Sequence, residues 1–183
     1  GRALYDASVV DPSSVDPELV SAATSIVAAT GDEQDYERLL EGYRTGATPQ
    51  DQLRHLNALA EFDDEALLLR TCELAMSAEV KTQNAPFLLA LCIANRRHGA
   101  AAWRFVRQHW EQANAAFPSN TIVRMISTVR LLNTPTASAD VQSFFAEHPI
   151  PQATKTLEQV LERQRINSAL RQREGAPFAA ALS

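Results

Sequence analysis

The sequence predicts an all-α fold, an α-solenoid of about nine to eleven helices arranged in antiparallel pairs. Capping residues, apolar runs with helical spacing and stop residues recur from one end of the 183 residues to the other. No segment alternates apolar and polar residues with the period of two that a half-buried strand requires. Pro17 and Pro49 lie 32 residues apart, as do Pro86 and Pro118. Such an interval is typical of a repeated helix pair.

The first helices are predicted from their ends. The chain opens within a helical run, Arg2-Ala3-Leu4-Tyr5, with no capping residue before it, which predicts a truncated first helix in a C-terminal fragment of a larger protein. A second helix begins after the cap Asp16, where Pro17 takes the first helical position, and ends near Gly31. Asp32 caps a third helix, which ends near Gly46.

Two further helices complete the first half of the predicted array. Thr48 and Pro49 open a fourth helix with the same cap-then-proline order as the second. Asp63 is predicted to open a fifth, in which Phe62 and Leu67 form a hydrophobic staple. The absence of a tetratricopeptide signature favours irregular, HEAT-like pairs for the whole array.

The second half resumes after a polar break at Lys81-Thr82-Gln83. A helix is predicted from Asn84-Ala85-Pro86 to Ala94, and a longer one from Gly99 to Ala116. Three more are predicted near Asn120–Leu132, Ser138–His148 and Pro151–Arg173, and residues 174–183 are predicted to form a loosely ordered tail. All of 1–183 is thereby predicted to be a single helical domain.

An aromatic stripe marks the long helix of the second half. Helical spacings of three and four place its large side chains on one face: Trp103, Val106, Trp110, Ala113 and Phe117. Such a face is more often core than a surface on which a ligand stacks. The stripe therefore predicts burial between helices.

Composition excludes several classes of protein. A net charge of −5 argues against nucleic-acid binding, because phosphate contacts need clustered cations. No apolar run reaches the length of a membrane span, and no signal peptide is seen. Cys72 and Cys92 lie in apolar runs and are predicted to be buried free thiols. These features predict a cytoplasmic protein with no nucleic-acid or membrane partner.

No motif for catalysis or metal binding occurs. The four histidines, His55, His98, His109 and His148, have no second His or Cys at ligand spacing. The acidic pair Asp63-Asp64 is better explained as a helix cap than as an acid–base pair. Five cations and two acids along Lys155–Arg173 favour a solvated outer face over a surface for an anionic partner. We therefore predict no catalytic residue, no metal ligand and no cofactor in this chain.

Several stretches, in order, resemble the C-terminal helical domain of the aminopeptidase N family of zinc metallopeptidases. Val80-Lys81-Thr82-Gln83-Asn84 is similar to that family's V-R-T-Q-D, and the segment Ala102-Trp103-Arg104-Phe105-Val106 with His109-Trp110 is similar to its A-W-x-F-x-x-x-N-W. Further similarities are Gly31-Asp32, Tyr43-Arg44, Phe144-Phe145 and Arg165-Ile166-Asn167. This chain departs from the family's pattern at Lys81 for Arg, Asn84 for Asp and His109 for Asn.

The resemblance implies a function for the larger protein. In that family an upstream catalytic domain carries G-A-M-E-N and H-E-x-x-H and holds the zinc, and neither motif occurs here. The C-terminal domain is a bowl of HEAT-like helix pairs that closes over the catalytic domain. The implied partners are that catalytic domain and a peptide substrate, which the chain would help to position for removal of N-terminal residues.

Gln83 and Asn84 are the candidate peptide contacts, because they lie at a polar break before a strongly apolar helix. The alternative for these two residues is a simple capping role. The alternative for the whole chain is a free-standing α-solenoid that binds a protein partner. An upstream reading frame with H-E-x-x-H would distinguish the two functions.

Overall fold

A computed structural model describes residues 1–11 and 13–181, apart from the side chain of Gln152. Its regular elements are all helical, eleven α-helices and three short 3₁₀ helices, with no strand in the described residues. The predicted all-α fold and helix number are confirmed. The chain divides into two compact units, residues 1–74 and 75–183. The predicted single domain over 1–183 and the predicted solenoid arrangement stay predictions.

The first unit contains α1 Arg2–Val10, α2 Pro17–Thr30, α3 Glu33–Thr45, α4 Pro49–Ala58 with a following 3₁₀ helix Leu59–Glu61, and most of α5 Glu65–Ala75. Three predicted caps are confirmed, since Asp16, Asp32 and Thr48 each accept a backbone N–H from the first turn of their helix. The cap predicted for the fifth helix is wrong by one residue. The carboxylate of Asp64, not that of Asp63, accepts the N–H of Leu67 at 3.0 Å.

The helices of the first unit alternate between two layers. α1, α3 and α5 are joined by ion pairs, of Arg38 with Asp6 and of Arg70 with Glu37. α2 packs on α1 and on α4, and α4 packs on α3. Between α3 and α5, the hydroxyls of Tyr36 and Thr71 are 3.1 Å apart and both side chains are buried. This arrangement matches the predicted pairing of successive helices within this unit.

One close helix contact in the first unit depends on glycine. Gly42 of α3 faces the ring of His55 of α4, and a Cβ at residue 42 would lie 2.6 Å from the Cδ2 atom of that ring. His55 is buried, and its Nδ1 lies 3.0 Å from the carbonyl oxygen of Asp51. The approach of α3 to α4 therefore requires the missing side chain at residue 42.

The second unit contains α6 Ala85–Ala94, α7 Gly99–Gln108, α8 Trp110–Ala116, α9 Ser119–Ile126 with a 3₁₀ helix Ser127–Leu131, α10 Pro135–Glu147, and α11 Thr154–Ala181, which follows a 3₁₀ helix Pro151–Ala153. The single helix predicted from Gly99 to Ala116 is wrong, because it is interrupted at His109. There the backbone turns to φ −108 and ψ 18, and the His109 ring stacks on Phe105 with 4.1 Å between centroids.

Other boundaries in the second unit also differ from prediction. The helix predicted near Asn120–Leu132 tightens into 3₁₀ geometry from Ser127 onward. α10 begins three residues before the predicted Ser138, because the hydroxyl of Thr134 accepts the N–H of Ala137 and Pro135 takes the first position. α11 continues beyond the predicted Arg173 to Ala181, and every residue from 171 to 181 is exposed.

The aromatic stripe forms the core of the second unit, which confirms the predicted burial. Trp103 is 2% exposed and Trp110 is 5% exposed. Both indoles lie edge-on to Phe144, with 5.3 and 5.4 Å between ring centroids. The indole N–H of Trp103 donates to Asp140 at 2.9 Å, and Asp140 also pairs with Arg107. A ligand-stacking role for this face is therefore excluded.

Candidate functional site

The candidate site is the start of α6 and its exposed face. Residues 81–84 form a turn in which the backbone N–H groups of Asn84 and Ala85 both donate to the carbonyl of Lys81. The carbonyl of Asn84 in turn accepts from Phe87 and Leu88. The first backbone groups of α6 are thus bonded within the turn and do not depend on a side-chain cap.

The two predicted contact residues lie together in this turn. Gln83 is exposed and Asn84 is half-buried at the cap position. The backbone of Asn84 is already close to helical, at φ −97 and ψ −30, and its side chain makes no capping hydrogen bond. A capping side chain normally needs an extended backbone to reach the next N–H groups. Both carboxamides are free of hydrogen bonds to the rest of the described chain, so the capping alternative lacks its defining contact.

The sequence of α6 has no polar face. Its ten residues, Ala-Pro-Phe-Leu-Leu-Ala-Leu-Cys-Ile-Ala, carry no charged or amide side chain. A helix that is apolar on every side is normally surrounded by other protein. Yet Phe87 is 42% exposed and Leu91 is 40% exposed, while the opposite side, with Leu88, Leu89, Cys92 and Ile93, is buried.

The exposed apolar residues continue from the carboxamides along one stripe. Phe87 and Leu91 are four residues apart, which puts them on the same side of α6, and Gln83 lies in the turn four residues before Phe87. We call Gln83, Asn84, Phe87 and Leu91 the α6 face. It combines hydrogen-bonding groups suited to a peptide backbone with an apolar strip suited to side chains.

Sequence reasoning named the two amides of this face and missed Phe87 and Leu91. The signal for them was the unbroken apolar composition of α6, because helices packed on only one side of it leave apolar residues on the other side exposed. Lys81, at the start of the same turn, is exposed.

The face offers binding groups and no reactive ones. No His, Asp or Glu lies within it, so it has no general acid or base. Across residues 1–11 and 13–181, no three His, Cys, Asp or Glu side chains come close enough together to hold a metal ion. Within the same residues, no helix is both long and apolar enough to cross a bilayer.

The cysteines and histidines are not members of the α6 face. Cys72 and Cys92 are both buried, as predicted, and no disulfide joins them. His109 and His148 stack on Phe105 and Phe144 and direct Nδ1 to the carbonyls of those residues. These histidines serve local packing.

Known proteins with a similar sequence match most of this chain. A family model described as an ERAP1-like C-terminal domain matches residues 2–166. Aminopeptidase M1 of Arabidopsis thaliana is 30% identical over 174 residues, which are 90% of this chain and 19% of that protein. Aminopeptidase M1-C of Oryza sativa subsp. japonica is 30% identical over 135 residues, 73% of this chain and 15% of that protein.

An animal protein shows a similar match. Glutamyl aminopeptidase of Mus musculus is 28% identical over 142 residues, which are 75% of this chain and 15% of that protein. The chain therefore spans less than a fifth of the length of each of these relatives.

Proposed function

Because the chain belongs to the family of ERAP1-like C-terminal domains, we propose that it is the non-catalytic C-terminal domain of a zinc aminopeptidase. In this proposal it encloses the active-site chamber and helps to position peptides for removal of N-terminal residues. The resemblance seen in the sequence is confirmed by the family match. The enzymatic role is supported by the relatives, which are named as aminopeptidases.

The observation that carries the proposed role is the α6 face. Its apolar strip exposes two large side chains, although a helix that is apolar on every side normally buries them against other protein. Its two carboxamides have no hydrogen-bond partner in the described chain. An extended peptide has the matching chemistry, because its backbone offers N–H and C=O groups and its side chains alternate on two sides. We propose that Gln83 and Asn84 bond the peptide backbone and that Phe87 and Leu91 contact its side chains.

The chemistry of hydrolysis would lie outside this chain. A catalytic zinc needs about three protein ligands and one open position, and the described residues bring no such group together. The metal would therefore be held by the upstream catalytic domain, the other proposed partner. The residues of this chain would act by holding the distal part of a peptide and limiting which peptides enter. A cytoplasmic location stays a prediction.

The test is the double substitution Phe87→Ala and Leu91→Ala in the full-length enzyme. Fully burying such side chains contributes about 1.5–3 kcal/mol each, so partial contact predicts a loss of about tenfold in kcat/KM for long peptides. Hydrolysis of a single aminoacyl arylamide should not change, because that substrate is too short to reach the face. Gln83→Ala and Asn84→Ala should each lower kcat/KM for long peptides about threefold.

A matched control removes the same two residue types elsewhere in the second unit. Leu170 and Phe178 of α11 are exposed apolar residues, and their double replacement by alanine should leave both substrates unaffected. An equal loss in this control, or an equal loss for short and long substrates in the α6 variant, would contradict a specific peptide contact. Stoichiometric zinc in the 183-residue chain, or aminopeptidase activity from it alone, would contradict the non-catalytic assignment.

A further inference from the structure

The two units carry opposite net charge. Residues 1–74 contain fifteen acidic and five basic side chains, a formal charge of −10, whereas residues 75–183 contain seven acidic and twelve basic ones, a charge of +5. Within the first unit, Arg2, Arg38, Arg54 and Arg70 already form ion pairs with its carboxylates. The acidic excess of this unit is therefore largely uncompensated and attracts cationic partners.

A groove lies between α2 and α4 of this acidic unit. It encloses about 600 Å³ and is lined along α2 by Glu18, Ser21 and Ser25, and along α4 and its 3₁₀ extension by Gln50, Asn57 and Glu61. Buried Thr24 and Ala58 also line it. Small and polar side chains on both helices leave this space open.

The charges along the groove have an uneven distribution. Its one cation, Arg54, is paired with Asp51 at 2.9 Å. Glu61 accepts a hydrogen bond from Ser25 at 3.1 Å and makes no ion pair, and the Glu18 carboxylate makes neither kind of contact within the described chain. Two exposed carboxylates thus face a groove in which no cation is available to them.

The spacing of these carboxylates defines the ligand. Glu61 contacts Ser25, which is seven residues beyond Glu18 on the same helix. A helical rise of 1.5 Å per residue puts the two acidic positions about 10 Å apart along the groove. In a polyproline II segment, with three residues per turn and a rise of about 3.1 Å per residue, two residues three positions apart lie on the same side and about 9 Å apart.

We propose that this groove docks a segment of a separate polypeptide in the polyproline II conformation that carries two Arg or Lys residues three positions apart. The two basic side chains pair with Glu18 and Glu61. The amides of Gln50 and Asn57 and the hydroxyl of Ser21 bond the intervening peptide backbone. This interaction surface is independent of the proposed peptidase role, because it lies in the first unit and the α6 face lies in the second.

The experiment measures binding of a blocked hexapeptide, Ala-Arg-Ala-Ala-Arg-Ala, to the 183-residue chain by calorimetry at low ionic strength. Glu18→Gln and Glu61→Gln should each weaken binding about threefold, and together about tenfold. The control Glu41→Gln removes one exposed charge from α3 of the same unit, outside the groove, and should change the dissociation constant by less than twofold. A peptide with Gln in place of both Arg should not bind.

Each alternative result overturns the proposal. An equal loss in Glu41→Gln would show attraction to the whole unit and no groove site. Unchanged affinity in the double variant, with circular dichroism showing the fold intact, would place the peptide elsewhere. Self-association that the hexapeptide fails to displace, detected by sedimentation, would show that a second copy of the chain occupies the groove.

Discussion

Each of the two units is stabilised internally by a different kind of contact. In the first, the same contact recurs between successive helices of one layer. Arg38 lies over the ring of Tyr5 at 5.3 Å and pairs with Asp6. One helix further, Arg70 lies over Tyr36 at 4.8 Å and pairs with Glu37. We call these two sets of contacts the Tyr–Arg ladder.

The ladder is a repeat that the proline spacing had indicated. Tyr5 and Tyr36 are 31 residues apart, and Arg38 and Arg70 are 32 apart, close to the interval between Pro17 and Pro49. The second unit has one buried aromatic cluster instead, in which Trp103, Trp110 and Phe144 meet and Asp140 serves both a tryptophan and an arginine.

The difference is one of burial. The arginines of the ladder are 40–45% exposed, so water and salt screen each ion pair. The side chains of the aromatic cluster are almost completely buried, so each contributes a large free energy of packing and transfer from water. Each residue of the ladder should therefore contribute little to the free energy of unfolding, whereas each residue of the cluster should contribute much.

The largest effect is expected for Trp103→Ala. Removing this buried indole leaves a cavity and deprives Asp140 of a hydrogen bond, and should lower the free energy of unfolding by about 3–5 kcal/mol. Urea unfolding followed by circular dichroism measures this, with Trp110 fluorescence reporting on the cluster. A loss below about 1 kcal/mol would mean that the cluster is not the centre of the second unit.

Gly42→Ala should have the next largest effect, about 1–3 kcal/mol of destabilisation, because the new methyl group would overlap the buried ring of His55. The control is Gly175→Ala in exposed α11, where the nearest atom to a new Cβ is 4.0 Å away. That substitution should be neutral or stabilising by up to about 1 kcal/mol. Destabilisation of equal size in both variants would contradict the close α3–α4 contact.

Acid should weaken the contact between α1 and α3. A hydrogen bond from Arg2 is the main cause that holds the pKa of buried Asp35 below its usual value. The ionised carboxylate therefore contributes stability above the unfolded pKa of about 3.9, and this contribution is lost as the pH falls through the lower folded pKa.

The check is a pair of thermal unfolding series between pH 7 and pH 2, with Asp35→Asn as the comparison. The difference in Tm between the two proteins should be largest near neutral pH and should shrink below about pH 4. A difference that stays constant over this range would show that the Asp35 charge is not what stabilises the contact.

The smallest effects are expected within the ladder. Arg38→Gln and Arg70→Gln should each cost about 0.5–1 kcal/mol, since each removes a cation–π contact and an exposed ion pair. Arg38 also lies 3.7 Å from Asp35, so its loss should be the larger of the two. Arg→Lys at either position should retain the charge and lose part of the stacking. Markedly unequal losses at the two positions would show that the ladder is not an energetic repeat.

Much of the helix pattern could be predicted from the sequence because a helix start is a local event. Asp16, Asp32 and Thr48 satisfy backbone N–H groups only two or three residues away, so the chain carries the whole signal within one turn. The start of α10 at Thr134 carries the same local signal, although the prediction placed that start at Ser138. The burial of Trp103 and Trp110 was likewise predicted from their helical spacing, although the two residues lie in the successive helices α7 and α8.

Other features depended on residues distant in sequence. The sequence by itself determined that α6 would be apolar, but not that Phe87 and Leu91 would be exposed, because exposure depends on which other helices pack against them. The groove of Glu18 and Glu61 exists only because α2 and α4 lie side by side. Local hydrogen bonds thus determined where the helices begin, whereas the tertiary structure decided which of their faces are left uncovered, and packing between distant segments is the physical reason.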